Sequence, residues 1–186
     1  AGATIILNGR NPGKVAAAAA KLSETGATVH ELPFDVTDPE AVSAMVSEIT
    51  TTLGAPTILV HNALANFSFN GDDRTSLEDM TWQDIAAQTE VAVGGALNAI
   101  QALRAHFQAQ GGGRVVTIGT NLVQNPVVPY HDYTAAKGAL MAFTRTASKD
   151  LGPLGVTVNM VSGGLLRTTD ASAATPEAVF DMIAGL

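Results

Sequence analysis

Tyr133 and Lys137 are the two residues of this chain most suited to chemistry, four positions apart in the run Tyr133-Thr134-Ala135-Ala136-Lys137. On a helix that spacing stacks the phenol and the ammonium on one face. A phenol ordinarily titrates near about 10 and is a poor acid or base at neutral pH. A fixed cation beside it, and the positive end of a helix, favour phenolate and bring proton transfer toward the working range. Taken alone, the spacing is short enough to be an incidental aromatic–lysine contact on a solvated helix face. Its context adds weight. Thr120 lies thirteen residues before Tyr133 and offers a hydroxyl to the same oxygen; further upstream Ile58 to His61 runs into Asn62-Ala63, and downstream Val158-Asn159 leads to Gly163-Gly164 and Thr168. Such a series suits proton transfer to or from a carbonyl oxygen.

The elements that must position these groups follow from the hydrophobic pattern. Near-continuous apolar, β-branched runs predict strands at Thr4 to Leu7, Thr28 to Phe34, Thr57 to Val60, Arg114 to Ile118 and Val156 to Val161. Longer patterns between them predict helices over 13–24, 39–53, 82–110 and 132–151. Asp38 before Pro39 and Glu40 reads as an N-cap, Gly152-Pro153 closes the last helix, and Ala136, Leu140, Phe143, Ala147 and Leu151 form one apolar stripe along it. This alternation predicts an α/β domain built on a doubly wound parallel sheet, which binds ligands at the carboxyl ends of its strands. The polar stretch Ala63 to Asp79 contains Phe67 and Phe69 and reads either as a surface loop or as part of a substrate mouth; Val123, Val127, Val128 and Pro129 extend the apolar character of that mouth.

Composition narrows the function classes. The 186 residues are 46% hydrophobic and only 15% charged, with a net charge of −7. That balance argues against a nucleic-acid surface, which needs clustered Lys and Arg. With no cysteine, neither a disulfide scaffold, a thiolate nucleophile nor cysteine-ligated zinc is possible. The four histidines, His30, His61, His106 and His131, have no ligand spacing, so no metal site is expected. The alanine run Ala16 to Ala20 is too short to span a bilayer, and a cytoplasmic protein with no membrane partner is expected.

The ordered residues Asn62, Thr120, Tyr133, Lys137 and Thr168 resemble the short-chain dehydrogenase/reductase family over essentially the whole chain. The chain is most similar in flavour to 3-oxoacyl-acyl-carrier-protein reductases, and Gly2 to Met45 is also similar to the gluconate 5-dehydrogenase branch. The resemblance implies a Rossmann-type parallel sheet with helices on both faces, forming a single, incomplete dinucleotide-binding and catalytic domain over 1–186. It implies that Tyr133 transfers the proton, that Lys137 holds the nicotinamide ribose and lowers the tyrosine pKa, and that Thr120 stands for the family's serine. By the same resemblance His61-Asn62-Ala63-Leu64 matches the Asn-Asn-Ala-Gly segment beside the cofactor, Asp35-Val36 touches adenine, Thr168 matches the threonine near the carboxamide, and Gly164 belongs to the cofactor-binding set. The implied reaction is NADP(H)-dependent reduction of a small-molecule ketone, 3-oxoacyl-type or similar and including one carried on acyl-carrier protein, by a homodimer or homotetramer paired through the helices at 82–110 and 132–151.

Cofactor choice has its own argument from residues. In such folds an acid after the strand bonds a free ribose hydroxyl and repels a phosphate there. This chain has Gly9 followed by Arg10, which favours a 2′-phosphate and therefore NADP(H) over NAD(H). Arg10 also reads as a solvated loop arginine, and Asp35 as a turn cap. The family's first strand, its glycine-rich phosphate turn and its last strand have no counterpart in the sequence, so a longer chain is expected, with unpaired edges flanking the missing first strand. Ala92 stands for an asparagine, Leu64 for a glycine and Gly163 for a proline. These departures keep open an alternative of a different class, a weak or inactive cofactor-binding or scaffold protein on the same fold.

Overall fold

The computed structural model describes residues 2–185; Ala1 and Leu186, the two ends of the expected 1–186 domain, lie outside the described residues. Strand β1 (Thr4–Leu7) leads to helix α1 (Pro12–Ser23), whose cap Asn11 accepts the Lys14 N–H and whose first helical residue is a proline. After β2 (Thr28–Glu31), Asp38 caps α2 (Pro39–Thr52) by accepting the Glu40 and Ala41 N–H groups. The β2 strand stops short of the expected Phe34 because the Asn8 side chain donates to the carbonyls of Leu32 and Phe34, at 3.1 and 3.0 Å, in place of a strand partner.

The second half holds β3 (Ile58–His61), α3 (Trp82–Thr89), α4 (Gly95–Ala109), β4 (Gly113–Thr120), α5 (His131–Leu151), β5 (Val156–Gly163) and α6 (Glu177–Ala184). The helix expected over 82–110 is not continuous: a π-helical turn over Glu90–Gly94 separates α3 from α4. Helix α6 was not anticipated from the sequence.

All strand pairs are parallel, β1 with β2 and β3 with β4 with β5. The result is a Rossmann-like α/β fold with helices on both faces. Instead of one continuous sheet there are two, because β1 pairs only with β2 and β3 only with β4, so their facing edges have no ladder partner among the described residues. On one face of the larger sheet Val115 and Val158 pack with Ile100, Leu103 and Phe107 of α4 and Leu151 of α5. On the other face Ile58, Val60 and Val161 stay more than half exposed. The expected stripe of α5 is buried at Ala136, Leu140, Ala147 and Leu151, with Phe143 half-buried. Gly113 is dictated by packing, since a Cβ there would lie 2.3 Å from Cδ1 of Phe107. This core seats α5 over β4 and β5.

Candidate active site

Strand β4 ends at Thr120, a single 3-10 turn follows, and the chain returns to start α5. Tyr133 and Lys137 occupy the first two turns of that helix, so the end of the strand and the start of the helix meet. All three side chains are buried. The Thr120 hydroxyl accepts the Leu122 N–H at 3.3 Å and shares a hydrogen bond with the Tyr133 phenol. Lys137 Nζ lies 5.8 Å from the Tyr133 ring centroid and donates to the Ile118 carbonyl at 2.6 Å.

The loop 62–80 supplies an aromatic cover. Phe67 stacks on Tyr133 with ring centroids 4.6 Å apart and planes 21° from parallel, and Phe69 meets the same ring edge-on at 5.3 Å. Tyr130 meets Phe67 edge-on, and Leu64 packs against this cluster. Aromatic pairs of this kind add roughly 0.5–1.5 kcal/mol beyond their buried area. The enclosure also sets the electrostatics. Burial pushes the Tyr133 phenol above its ordinary 10, and the Thr120 hydrogen bond offsets only part of that. The expected lowering of the tyrosine by Lys137 is therefore not met, because the ammonium turns to the Ile118 carbonyl and the aromatic cover excludes water. Burial likewise pushes Lys137 down to about 8.

Beside Tyr133 opens a cleft of about 150 Å³ lined by Thr120, Leu122, Val128, Tyr130, Gly164 and Ile183, among others. Of the expected mouth, Phe69, Val127 and Val128 line it, whereas Val123 and Pro129 do not. Leu122, Tyr130 and the α6 residues Val179 and Ile183 were missed; only the apolar spacing of 177–184 hinted at a helix there. Thr168 is exposed and lies outside the lining, where its neighbour Thr169 stands instead.

A second cleft, of about 630 Å³, opens at the end of β1 beside Gly9, Arg10, Lys14 and Asn66. Arg10 reaches Asn66 Oδ1 at 3.5 Å and Asp35 Oδ2 at 4.0 Å. Asp35 does cap a turn, its other oxygen accepting the Thr37 N–H at 2.9 Å and hydroxyl at 2.8 Å. The Thr37 N–H, helped by the Thr37 hydroxyl and Arg10, holds the Asp35 carboxyl below the usual carboxylate range. The Val36 carbonyl accepts Asn98 Nδ2 at 3.0 Å. Asn62 is exposed and Ala63 half-buried just beyond β3. Among the described residues, no group of three or more His, Asp or Glu side chains suits a metal ion, and no helix is long and apolar enough to cross a membrane.

The family model described as short chain dehydrogenase matches residues 1–179. The 3-oxoacyl-[acyl-carrier-protein] reductase FabG of Vibrio harveyi is 30% identical over 171 residues, covering 90% of this chain and 65% of that protein. Among solved structures, a gluconate 5-dehydrogenase from Burkholderia cenocepacia J2315 in complex with NADP and tartrate superposes with a TM-score of 0.82 at 27% identity, covering 99% of this chain and 70% of that one. The L-sorbose reductase from Gluconobacter frateurii complexed with NADPH and L-sorbose gives 0.78 at 28% identity, over 88% and 60%. The chain spans 55% to 65% of the length of the curated relatives it matches.

Proposed function

The chain belongs to the short-chain dehydrogenase family, and from that premise we propose that it carries the proton-transfer site of an NADP(H)-dependent reductase converting a ketone to a secondary alcohol. One observation carries this reading: Thr120 from β4 and the pair Tyr133 and Lys137 from α5 converge at one end of β4, with Thr120 and Tyr133 bordering one cleft. The Thr120 hydroxyl orients the substrate carbonyl oxygen. As negative charge develops there, the Tyr133 O–H proton moves to that oxygen and leaves a phenolate. The Lys137 ammonium stabilises this phenolate, and it does so strongly because water is excluded around both groups. Reduced nicotinamide, when bound, supplies the hydride for the carbonyl carbon.

The residues present fit that cofactor. Arg10 is about half exposed at the cleft beside β1, with two long contacts that leave guanidinium donors for a 2′-phosphate. The N-terminus of α1 opens on the same cleft. Asp35 and Val36 would flank adenine, Lys137 the ribose, and Asn62, Ala63, Gly164 and Thr168 the nicotinamide half. The nucleotides bound by the two similar structures support NADP(H) over NAD(H) as well.

The apolar wall of Leu122, Val127, Val128 and Ile183 supports a ketone with a hydrocarbon portion, of which a 3-oxoacyl thioester is one form. Trp82 and Leu97, 71% and 39% exposed on α3 and α4, support a homodimer or homotetramer. The test uses full-length protein with NADPH and a panel of 3-oxoacyl thioesters, diketones and sugar ketones, followed by loss of the reduced-nicotinamide absorbance. Tyr133→Phe lowers turnover by roughly 10²–10⁴ with little change in NADPH affinity; unchanged turnover overturns the assignment. A second reading, a cofactor-binding protein without catalysis, is favoured by the Ala92 methyl in the π turn and by Leu64 against the aromatic cluster. Tight NADPH binding with no carbonyl-dependent turnover across the panel selects it.

A further inference from the structure

Proton transfer from Tyr133 leaves the buried imidazole of His61 unused. His61, the last residue of β3, is 4% exposed. It stands in register with Thr117 of β4, so the two side chains share the sheet face covered by α5. There the Thr117 hydroxyl meets Thr144 of α5 at 2.8 Å. Lys137 lies seven residues before Thr144, two turns along the same helix face, and its Nζ donates to the carbonyl of Ile118, the residue after Thr117. His61 and the Lys137 ammonium thus lie at the carboxyl ends of neighbouring strands, the one on β3 and the other reaching β4 from α5.

The π turn accounts for what His61 does there. A π bulge breaks the regular ladder and leaves a carbonyl that needs another partner. The Ala92 carbonyl finds it in His61 Nε2, 3.0 Å away. A carbonyl only accepts, so Nε2 carries the proton and, in the neutral ring, Nδ1 is a bare acceptor. Neutrality is favoured: burial lowers the imidazole pKa most, and the Lys137 charge lowers it further against the opposing pull of the Ala92 and Val91 carbonyls. Space for the ring comes from Gly95, where a Cβ would lie 3.1 Å from His61 Cε1 and 2.7 Å from Val36 Cγ2. Ala92 itself brings only a methyl group to the turn.

We propose that His61 is a positioning residue for Lys137: its Nε2–H fastens the Ala92 carbonyl of the π turn, and its neutral ring supplies from the strand the polar group that Ala92 does not supply from the helix. The inference rests on Tyr133 and Lys137 being the proton-transfer pair. It carries a pH consequence. The groups facing the ring are Lys137 from α5, Thr117 from β4, the Val91 and Ala92 carbonyls of the π turn, and Gly95 of α4; Glu90, at the head of that turn, is exposed. No carboxylate among these offsets a second positive charge, so protonating His61 opposes the Lys137 ammonium. Reductase activity then falls as pH drops through the depressed His61 pKa, on the acid side of its ordinary 6.5.

The test compares full-length parent protein with His61→Gln, which keeps an N–H donor without titrating, and His61→Leu, which keeps neither. His61→Gln holds kcat within about threefold and loses the acid limb of the kcat/KM profile. His61→Leu lowers kcat by roughly tenfold or more while KM and NADPH affinity stay within about twofold. A parent-like kcat in the leucine variant, or an acid limb retained in the glutamine variant, overturns the inference. If the leucine variant does not fold, the glutamine profile decides alone. If the parent shows no turnover, the function reading fails separately, and the titration midpoint of Lys137, followed by pH-dependent amine labelling and mass spectrometry, tests the positioning role. From about 8 in the parent it moves down in His61→Leu and holds in His61→Gln; an unmoved midpoint in the leucine variant overturns the inference.

Discussion

Replacing Lys137 by methionine separates what this side chain does for activity from what it does to stability. The ammonium is 4% exposed, and burial takes its pKa from an ordinary 10.5 to about 8. At about 1.4 kcal/mol per pH unit, that fall means that holding the charged form in the folded protein costs about 3 kcal/mol at neutral pH. The sign follows from proton binding. Between pH 8 and 10.5 the unfolded chain holds the lysine proton more firmly than the folded one, so raising pH through that window stabilises the fold. Below the window the full destabilisation is present; above it, the penalty is gone. Methionine fills a similar volume and removes the charge, but it leaves the Ile118 carbonyl without the 2.6 Å donor, a loss of about 1–3 kcal/mol. The two effects nearly cancel at pH 7, so the Lys137→Met protein is expected to be equal to the parent or up to about 2 kcal/mol more stable there. The decisive quantity is the pH dependence. Urea unfolding of full-length protein at several pH values across the window gives a stability for the parent that gains about 3 kcal/mol relative to the variant's own trend. Parallel curves for the two proteins would refute the reasoning, because they would mean that Lys137 is solvated in the folded state. On the proposed function the variant is expected to lose reductase activity at every pH, which steady-state assays of the same samples check.

Arg10→Ala removes the guanidinium at the β1 cleft and weakens NADPH binding by about 10–100-fold, the equivalent of one charge-assisted contact, with NADH binding little changed; titration by nicotinamide fluorescence checks it, and equal losses for both nucleotides count against a 2′-phosphate site. Leu140→Ala opens a cavity under the wholly buried centre of α5 and destabilises the protein by about 2–5 kcal/mol in urea unfolding, with a small effect on KM in the surviving folded fraction.

Much of the fold was legible because its signals are local. Asp38 before Pro39, the stripe from Ala136 to Leu151 and the apolar runs at the strands each specify one element from its own residues. The meeting of Thr120, Tyr133 and Lys137 was legible too, since Thr120 ends a strand and Tyr133 and Lys137 share one helix face. Other features depend on contacts between distant segments. The stack of Phe67 on Tyr133 joins residues 66 apart in sequence, and nothing in the polar loop around Phe67 marks which of its aromatics turns inward. The π turn at Glu90–Gly94 interrupts a pattern that reads as one helix, and the group its Ala92 carbonyl meets, the His61 ring, lies on a distant strand. The separation into two sheets, by contrast, matches the unpaired strand edges expected from the sequence.

Tyr133 and Lys137 show where the division falls. Their identity and four-residue spacing are written in the chain, and helical geometry then places them on one face. Their ionisation is not. Spacing predicted a tyrosine lowered by its lysine, whereas in the folded molecule burial raises the one and lowers the other. Residue type and spacing set a phenol beside an ammonium; the packing of the folded chain sets their ionisation, because desolvation depends on everything around a charge and not on its neighbours along the chain.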